Sequence, residues 1–127
     1  MATKRVNSRR KGKEGELEVA KLLRSFGFDS HRGVQYKGGP DSPDVTGLPG
    51  VHIEVKRTNK FNLYGALRQS QRDASETEVP IVIHRRDRES WVVVLSVEDY
   101  IDLYKKANGI ERESSTEDNE READQET

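Results

Sequence analysis

Glu16, Asp44, Glu54 and Lys56 are the side chains of this sequence best suited to chemistry. Asp44 follows Pro43, while Glu54 and Lys56 flank Val55 inside an apolar run. Carboxylates gathered at one end of a small sheet bind a hard divalent cation such as Mg²⁺ through their oxygens. A lysine two strand positions from one of them can neutralise charge on a phosphate held beside the cation. The pattern points to metal-dependent cutting of nucleic acid. A second Pro-Asp pair, Pro40-Asp41, lies three residues upstream. Asp44 is the better candidate because it adjoins the strand-like Val45-Thr46, whereas Asp41 lies deeper in a loop and suits a turn. His31, His52 and His84 have no helical metal-ligand spacing and no partner nucleophile, so structural or DNA-contact roles are expected of them.

Local patterning supplies the elements that must position these residues. Over residues 13–26, Val19, Ala20, Leu23 and Phe26 form one stripe with Leu22 beside it, and Glu14, Glu18, Lys21 and Ser25 lie opposite. That is the period of an amphipathic helix, stopped by Gly27. Glu16 projects along the apolar stripe, where a carboxylate is costly unless a cation or lysine pairs with it. Residues 28–32 predict a short strand, 33–43 a mobile Gly- and Pro-rich loop carrying Tyr36, and 44–46 the start of another strand before the turn at 47–50. Along 51–56, Val51, Ile53 and Val55 face one way and His52, Glu54 and Lys56 the other, as in a strand. A helix is predicted over 63–75 with Asn62 as its cap. Leu63, Ala66, Leu67, Ser70 and Ala74 face inward and Gln71 flanks them. Strands follow at 79–84 and 91–95. A last helix from about Ser96 to Lys106 is expected to bury Val97, Tyr100, Ile101 and Tyr104. Trp91, Tyr100 and Tyr104 read as core or dimer contacts. The order αβββαββα predicts an α/β fold, a mixed central sheet flanked by helices.

Size and charge narrow the possibilities. A chain of 127 residues with 31% hydrophobic and 35% charged residues builds one lean core under a highly charged surface. The absence of cysteine excludes disulfides, thiolate zinc sites and cysteine nucleophiles. The polar, basic N-terminus lacks the apolar run of a signal peptide, and no stretch reaches membrane-spanning length, so a soluble cytoplasmic protein is expected. The net charge of −1 conceals segregation. Residues 1–13 carry six basic side chains and no acid, whereas 111–127 carry eight acids against Arg112 and Arg121. Taking that tail's −6 from the chain's −1 leaves residues 1–110 at +5, a balance suited to a polyanion. The expected partition is a basic flexible arm at 1–12, one domain at 13–109 and an acidic disordered tail at 110–127. The arm either stays solvated or orders on DNA.

Pro43-Asp44, then nine residues, then Glu54-Val55-Lys56, with Glu16 on a preceding helix and Gln71 on a following one, resembles the PD-(D/E)XK nuclease superfamily. Within it the layout is most similar to archaeal-type Holliday junction resolvases and their phage relatives. The matching features are the Gly27-Phe28 pair closing the first helix, the Gly-rich loop before the aspartate and the glutamine-bearing helix after the lysine strand. The likeness covers about residues 12–104.

The resemblance implies a restriction-endonuclease-like sheet and a set of roles. Asp44, Glu54 and the Val55 carbonyl would bind Mg²⁺ or Mn²⁺, with Glu16 completing the shell or accepting a second ion. Lys56 would orient the attacking water or neutralise the transition state, and Gln71 would hold the lysine or a water. Contacts to phosphates are expected from Arg9, Arg10, Lys11, Lys13, Arg32, Lys37, Arg57 and Lys60, which position DNA without reading its sequence. The expected partner is branched DNA, a four-way junction cut by a homodimer in the cytoplasm of a bacterial host. Two alternatives stay open: a nicking or repair nuclease acting on duplex or flap DNA, and a non-catalytic DNA-binding dimer of the same fold. The acidic tail lies outside the family pattern and is expected to compete with DNA for the basic surface.

Overall fold

The alternation at residues 51–57 produces the central element. In the computed structural model, which describes residues 3–33 and 42–110 with side chains from Arg9 onward, β3 (Val51–Arg57) is the middle strand of a five-stranded sheet. On one side it pairs antiparallel with β2 (Val45–Thr46), which pairs antiparallel with β1 (His31–Arg32). On the other side it runs parallel to β4 (Val79–Arg85), which pairs antiparallel with β5 (Val92–Val94). Parallel neighbours need a crossover, and α2 (Leu63–Asp73) provides it. The observed order is the predicted αβββαββα, a mixed α/β sheet flanked by helices.

Each face of β3 meets its own helix. The Ile53↔Ile81 and Val55↔Ile83 pairs lie under α1 (Thr3–Ser25), where Val19, Ala20 and Val45 complete the main core. On the opposite face Ala66 and Leu67 of α2 cover Val82, with Phe61 and Val94 at the margin. His52 and Glu54 on this face of β3 are thereby buried although they are polar, while Lys56 at its end is half-buried.

α1 starts ten residues earlier than periodicity predicts, at Thr3. The added segment is rich in lysine and arginine, which are good helix formers but leave no apolar stripe to detect. The helix ends in a Schellman turn: Gly27, at φ 98°, donates to the Arg24 carbonyl at 2.9 Å and Phe28 to the Leu23 carbonyl at 3.2 Å. Phe26 falls within this turn and is 68% exposed, so it leaves the buried stripe expected to contain it.

The chain divides after Leu95 into two units, the second carrying α3 (Val97–Ala107). Ser96 caps α3 by accepting from Asp99 N at 3.1 Å, and Lys105 and Lys106 complement its C-terminal dipole. Contrary to expectation, α3 buries none of Val97, Tyr100, Ile101 and Tyr104. The loop residues Tyr36, Lys37 and Asp41, and the acidic tail, lie outside the described residues.

Candidate active site

Asp44 is held from three directions. Its N–H donates to the Ile53 carbonyl at 2.9 Å and its carbonyl accepts from Gly33 N at 2.8 Å. Its carboxylate Oδ2 accepts from Val55 N at 2.8 Å, taking the place of a strand partner where β2 begins. Val45 is buried under α1, so the neighbouring Asp44 turns to the face carrying Glu54. The Val45↔Ile53 register brings the two acids alongside one another.

Glu54 is 2% exposed and its carboxyl is pushed up to about 8. Burial is the main cause, followed by the charge of Asp44 and a hydrogen bond to it, and by the charge of Asp73, with Lys56 opposing. Like charges side by side on a sheet are destabilising, and a shared proton is one remedy. A divalent cation is a better one, because it leaves both groups ionised and supplies the neutralising charge between them. The donor set of paired carboxylates on a strand therefore fits a hard divalent cation.

Lys56 follows on the same face as Glu54, half-buried, and its charge is felt by both Glu54 and Glu16. Glu16 comes from α1, which lies close to β3 because residue 15 is glycine. A Cβ at Gly15 would stand 2.9 Å from that of Arg57 and 3.6 Å from Val55. The Glu16 carboxyl is raised, by burial first and by Asp44, against the lowering influence of Arg32 and Lys56. Thus Glu16, Asp44, Glu54 and Lys56 form one electrostatically coupled group.

Gln71 is not drawn into this group. It is exposed, and it lies half a helical turn around α2 from Asp73, the residue of that helix that couples to Glu54. Gln69, one turn before Asp73 and so on the same flank of α2, is half-buried. Among the cations expected to contact DNA, Arg9, Arg10, Lys13 and Lys60 are exposed. Arg32 Nε instead donates to Glu16 Oε1 at 2.6 Å. Arg57 points to the α1 side, within 3.8 Å of Glu14, Glu18 and Asp87 carboxylates. Lys11 lies 3.4 Å from Asp87.

Two residues to which sequence reasoning assigned no part in the site stand next to Glu54: His52, for which a structural or DNA-contact role was expected, and Asp73. His52 is fully buried, with Nε2 2.7 Å from Glu54 Oε2. Asp73 is brought near by Ser70, one turn earlier, whose hydroxyl donates to the Ile81 carbonyl at 2.9 Å. His52, Glu54 and Asp73 present ligand atoms within 4.8 Å of one another. The available signal was strand parity: His52 shares a face with Glu54 and Lys56, a relation that helical spacing rules do not test. His84, by contrast, is occupied by stacking on Phe61 at 3.7 Å and by a contact with the Lys56 carbonyl at 2.8 Å.

Among the described residues no helix is long and apolar enough to cross a membrane. Nothing among curated proteins or solved structures matches the chain at a significant level. A family model described as "Phage putative PDDEXK endonuclease" matches residues 7–127. The match spans nearly the whole chain, which belongs to this PDDEXK endonuclease family.

Proposed function

We propose that the protein is a Mg²⁺-dependent endodeoxyribonuclease, with Mn²⁺ able to substitute, that acts on four-way DNA junctions as a Holliday junction resolvase. The observation that carries this reading is the Val45↔Ile53 register, which sets Asp44 beside Glu54 with its carboxylate held by Val55 N, and Lys56 two positions along the same strand. Asp44, Glu54 and the Val55 carbonyl would hold the cation, and Glu16 would complete its surroundings. When bound, the cation stabilises charge on the phosphate oxygens and makes water a better nucleophile. Lys56 orients that water through its ammonium and offsets the charge that develops at phosphorus. Val55 N keeps the Asp44 carboxylate from rotating away, so the site is ordered before DNA arrives.

Arg9, Arg10 and Lys13 on α1, with Lys60 after β3, supply exposed positive charge for phosphates. Such contacts read shape in preference to sequence, which suits a branched substrate. A two-fold homodimer would set one site on each of the two strands to be cut. A phage protein of this kind works in the cytoplasm of the bacterial host.

Cleavage of a four-way junction and of a linear duplex of the same sequence, in Mg²⁺ and in Mn²⁺, tests the reading. Paired nicks in the junction with the duplex spared are expected. Equal cutting would make the protein a duplex-nicking nuclease instead, and binding without any cutting would make it a DNA-binding dimer.

A further inference from the structure

His52 is a costly residue to bury without a task. Its side chain is wholly enclosed and its Nδ1 makes no hydrogen bond. An unsatisfied ring nitrogen is unfavourable to bury, because it loses its bonds to water without replacement. Its other nitrogen, Nε2, faces the Glu54 carboxylate at 2.7 Å. Beside them the Asp73 carboxylate closes a triangle whose ligand atoms all lie within 4.8 Å. Around an ion with ligands at about 2.1 Å, adjacent octahedral ligands stand roughly 3 Å apart and opposite ones roughly 4.2 Å. The three groups, all within 4.8 Å of one another, lie close to that range.

The orphaned Nδ1 also has a direction. It points toward Glu78 Oε1 at 3.9 Å, and that oxygen is anchored by Ser75 N at 2.8 Å. A ligating imidazole commonly directs its other N–H at a carboxylate, which fixes the tautomer and raises the basicity of the bound nitrogen. Glu78, His52 and the Glu54–Asp73 pair are laid out in that order. A cluster serving only to satisfy a buried histidine would have no need of Asp73 on its far side.

We propose that His52 Nε2, Glu54 and Asp73 form a second divalent-cation position that shares Glu54 with the Asp44 position and, because it offers an imidazole, takes a transition-metal ion in preference to Mg²⁺, with Mn²⁺ as its paramagnetic probe. It presupposes the metal-dependent reading above and rests on it. Glu78 is its positioning residue, acting through His52.

Mn²⁺ titration of the full chain without DNA, followed by calorimetry and by pulsed EPR on ¹⁵N-histidine-labelled protein, tests this. Two Mn²⁺ per chain and a ¹⁵N coupling are expected, with Mg²⁺ filling a single position. Asp73→Asn, at a half-exposed helix end, should bind one Mn²⁺ and lose the coupling while keeping its thermal transition. Glu78→Gln should weaken the second ion about tenfold and leave the first unchanged. His52→Gln should abolish the coupling, which excludes His31 and His84 as its source. One Mn²⁺ without nitrogen coupling, lost in Asp44→Asn and kept in Asp73→Asn, overturns the second position and leaves the first standing. No Mn²⁺ bound at all overturns both.

Discussion

Arg32 Nε donates to Glu16 Oε1 at 2.6 Å and so ties β1 to the helix that carries the outermost acid of the site. The pair is graded in exposure, the Arg32 side chain 43% exposed and Glu16 17%. Burial pushes the Glu16 carboxyl up, and Arg32 restrains that rise. Removing the guanidinium by Arg32→Ala should raise it further, because burial and the charge of Asp44 then act with less opposition. The acidic limb of the cleavage-rate profile should move to higher pH, read from single-turnover rates. Loss of one charge-assisted contact should cost about 1 kcal/mol of stability. An unmoved profile with unchanged stability would show that Glu16 does not depend on this partner.

Glu54 makes the stability of the metal-free protein depend on pH. Its carboxyl titrates near 4.5 when unfolded and at about 8 in the fold. The stabilising contribution is complete below the unfolded value and is lost as pH rises through the folded one, since the unfolded chain ionises first. Denaturant midpoints in EDTA should therefore fall between pH 5 and pH 8. Glu54→Gln removes the titration while keeping the shape. It should stabilise the metal-free protein at pH 7 by about 2 kcal/mol and abolish cutting. Wild-type protein should release a proton on binding Mg²⁺ at pH 7, measurable from calorimetric heats in buffers of different ionisation enthalpy.

Lys56 is the cation of the site whose removal should separate chemistry from binding. It ends the polar face of β3, half-buried, with Glu16 and Glu54 both within its field. Lys56→Met keeps the aliphatic stem and deletes the charge. Cleavage should fall by about 10²–10³-fold, the scale for losing one preorganised group at a developing charge. Junction affinity in Ca²⁺ should change less than threefold. A parallel loss of affinity would make Lys56 a binding residue.

α2 shows where legibility in the sequence ends. The alternation of 51–56 and the breaks at Gly27, Gly47 and Gly50 were enough to delimit β3 and the elements before it, because strand parity and turn chemistry are local. The buried trio Ala66, Leu67 and Ser70 was also legible as a stripe. Which flank of that stripe meets the acids was not, because it depends on how the crossover seats α2 against β3 and β4. Ser70 decides it by bonding the Ile81 carbonyl, and Asp73 then lies near Glu54. Residues 3–12 escaped for a different reason, since a helix of charged residues has no hydrophobic period. The flank assignment can be tested directly. Gln69→Ala should slow cleavage several-fold, whereas Gln71→Ala, on the exposed side, should match wild type.

Arg57 and Lys60 are close in sequence and both were expected to grip phosphates, but they face different surroundings. The Arg57 side chain is 18% exposed, with Glu14, Glu18 and Asp87 around its guanidinium. Lys60 is exposed in the turn before α2. Phosphate binding by Arg57 would require breaking its carboxylate contacts, whereas Lys60 gives up only hydration. Lys60→Ala should lower the salt dependence of DNA affinity by about one counterion without altering stability. Arg57→Ala should leave that slope unchanged and cost about 1 kcal/mol, because Glu14 loses its cation while Glu18 keeps Arg85 at 3.0 Å. Denaturation and salt-titrated binding on the two variants check both halves. A reduced salt slope in Arg57→Ala at unchanged stability would return Arg57 to the DNA surface.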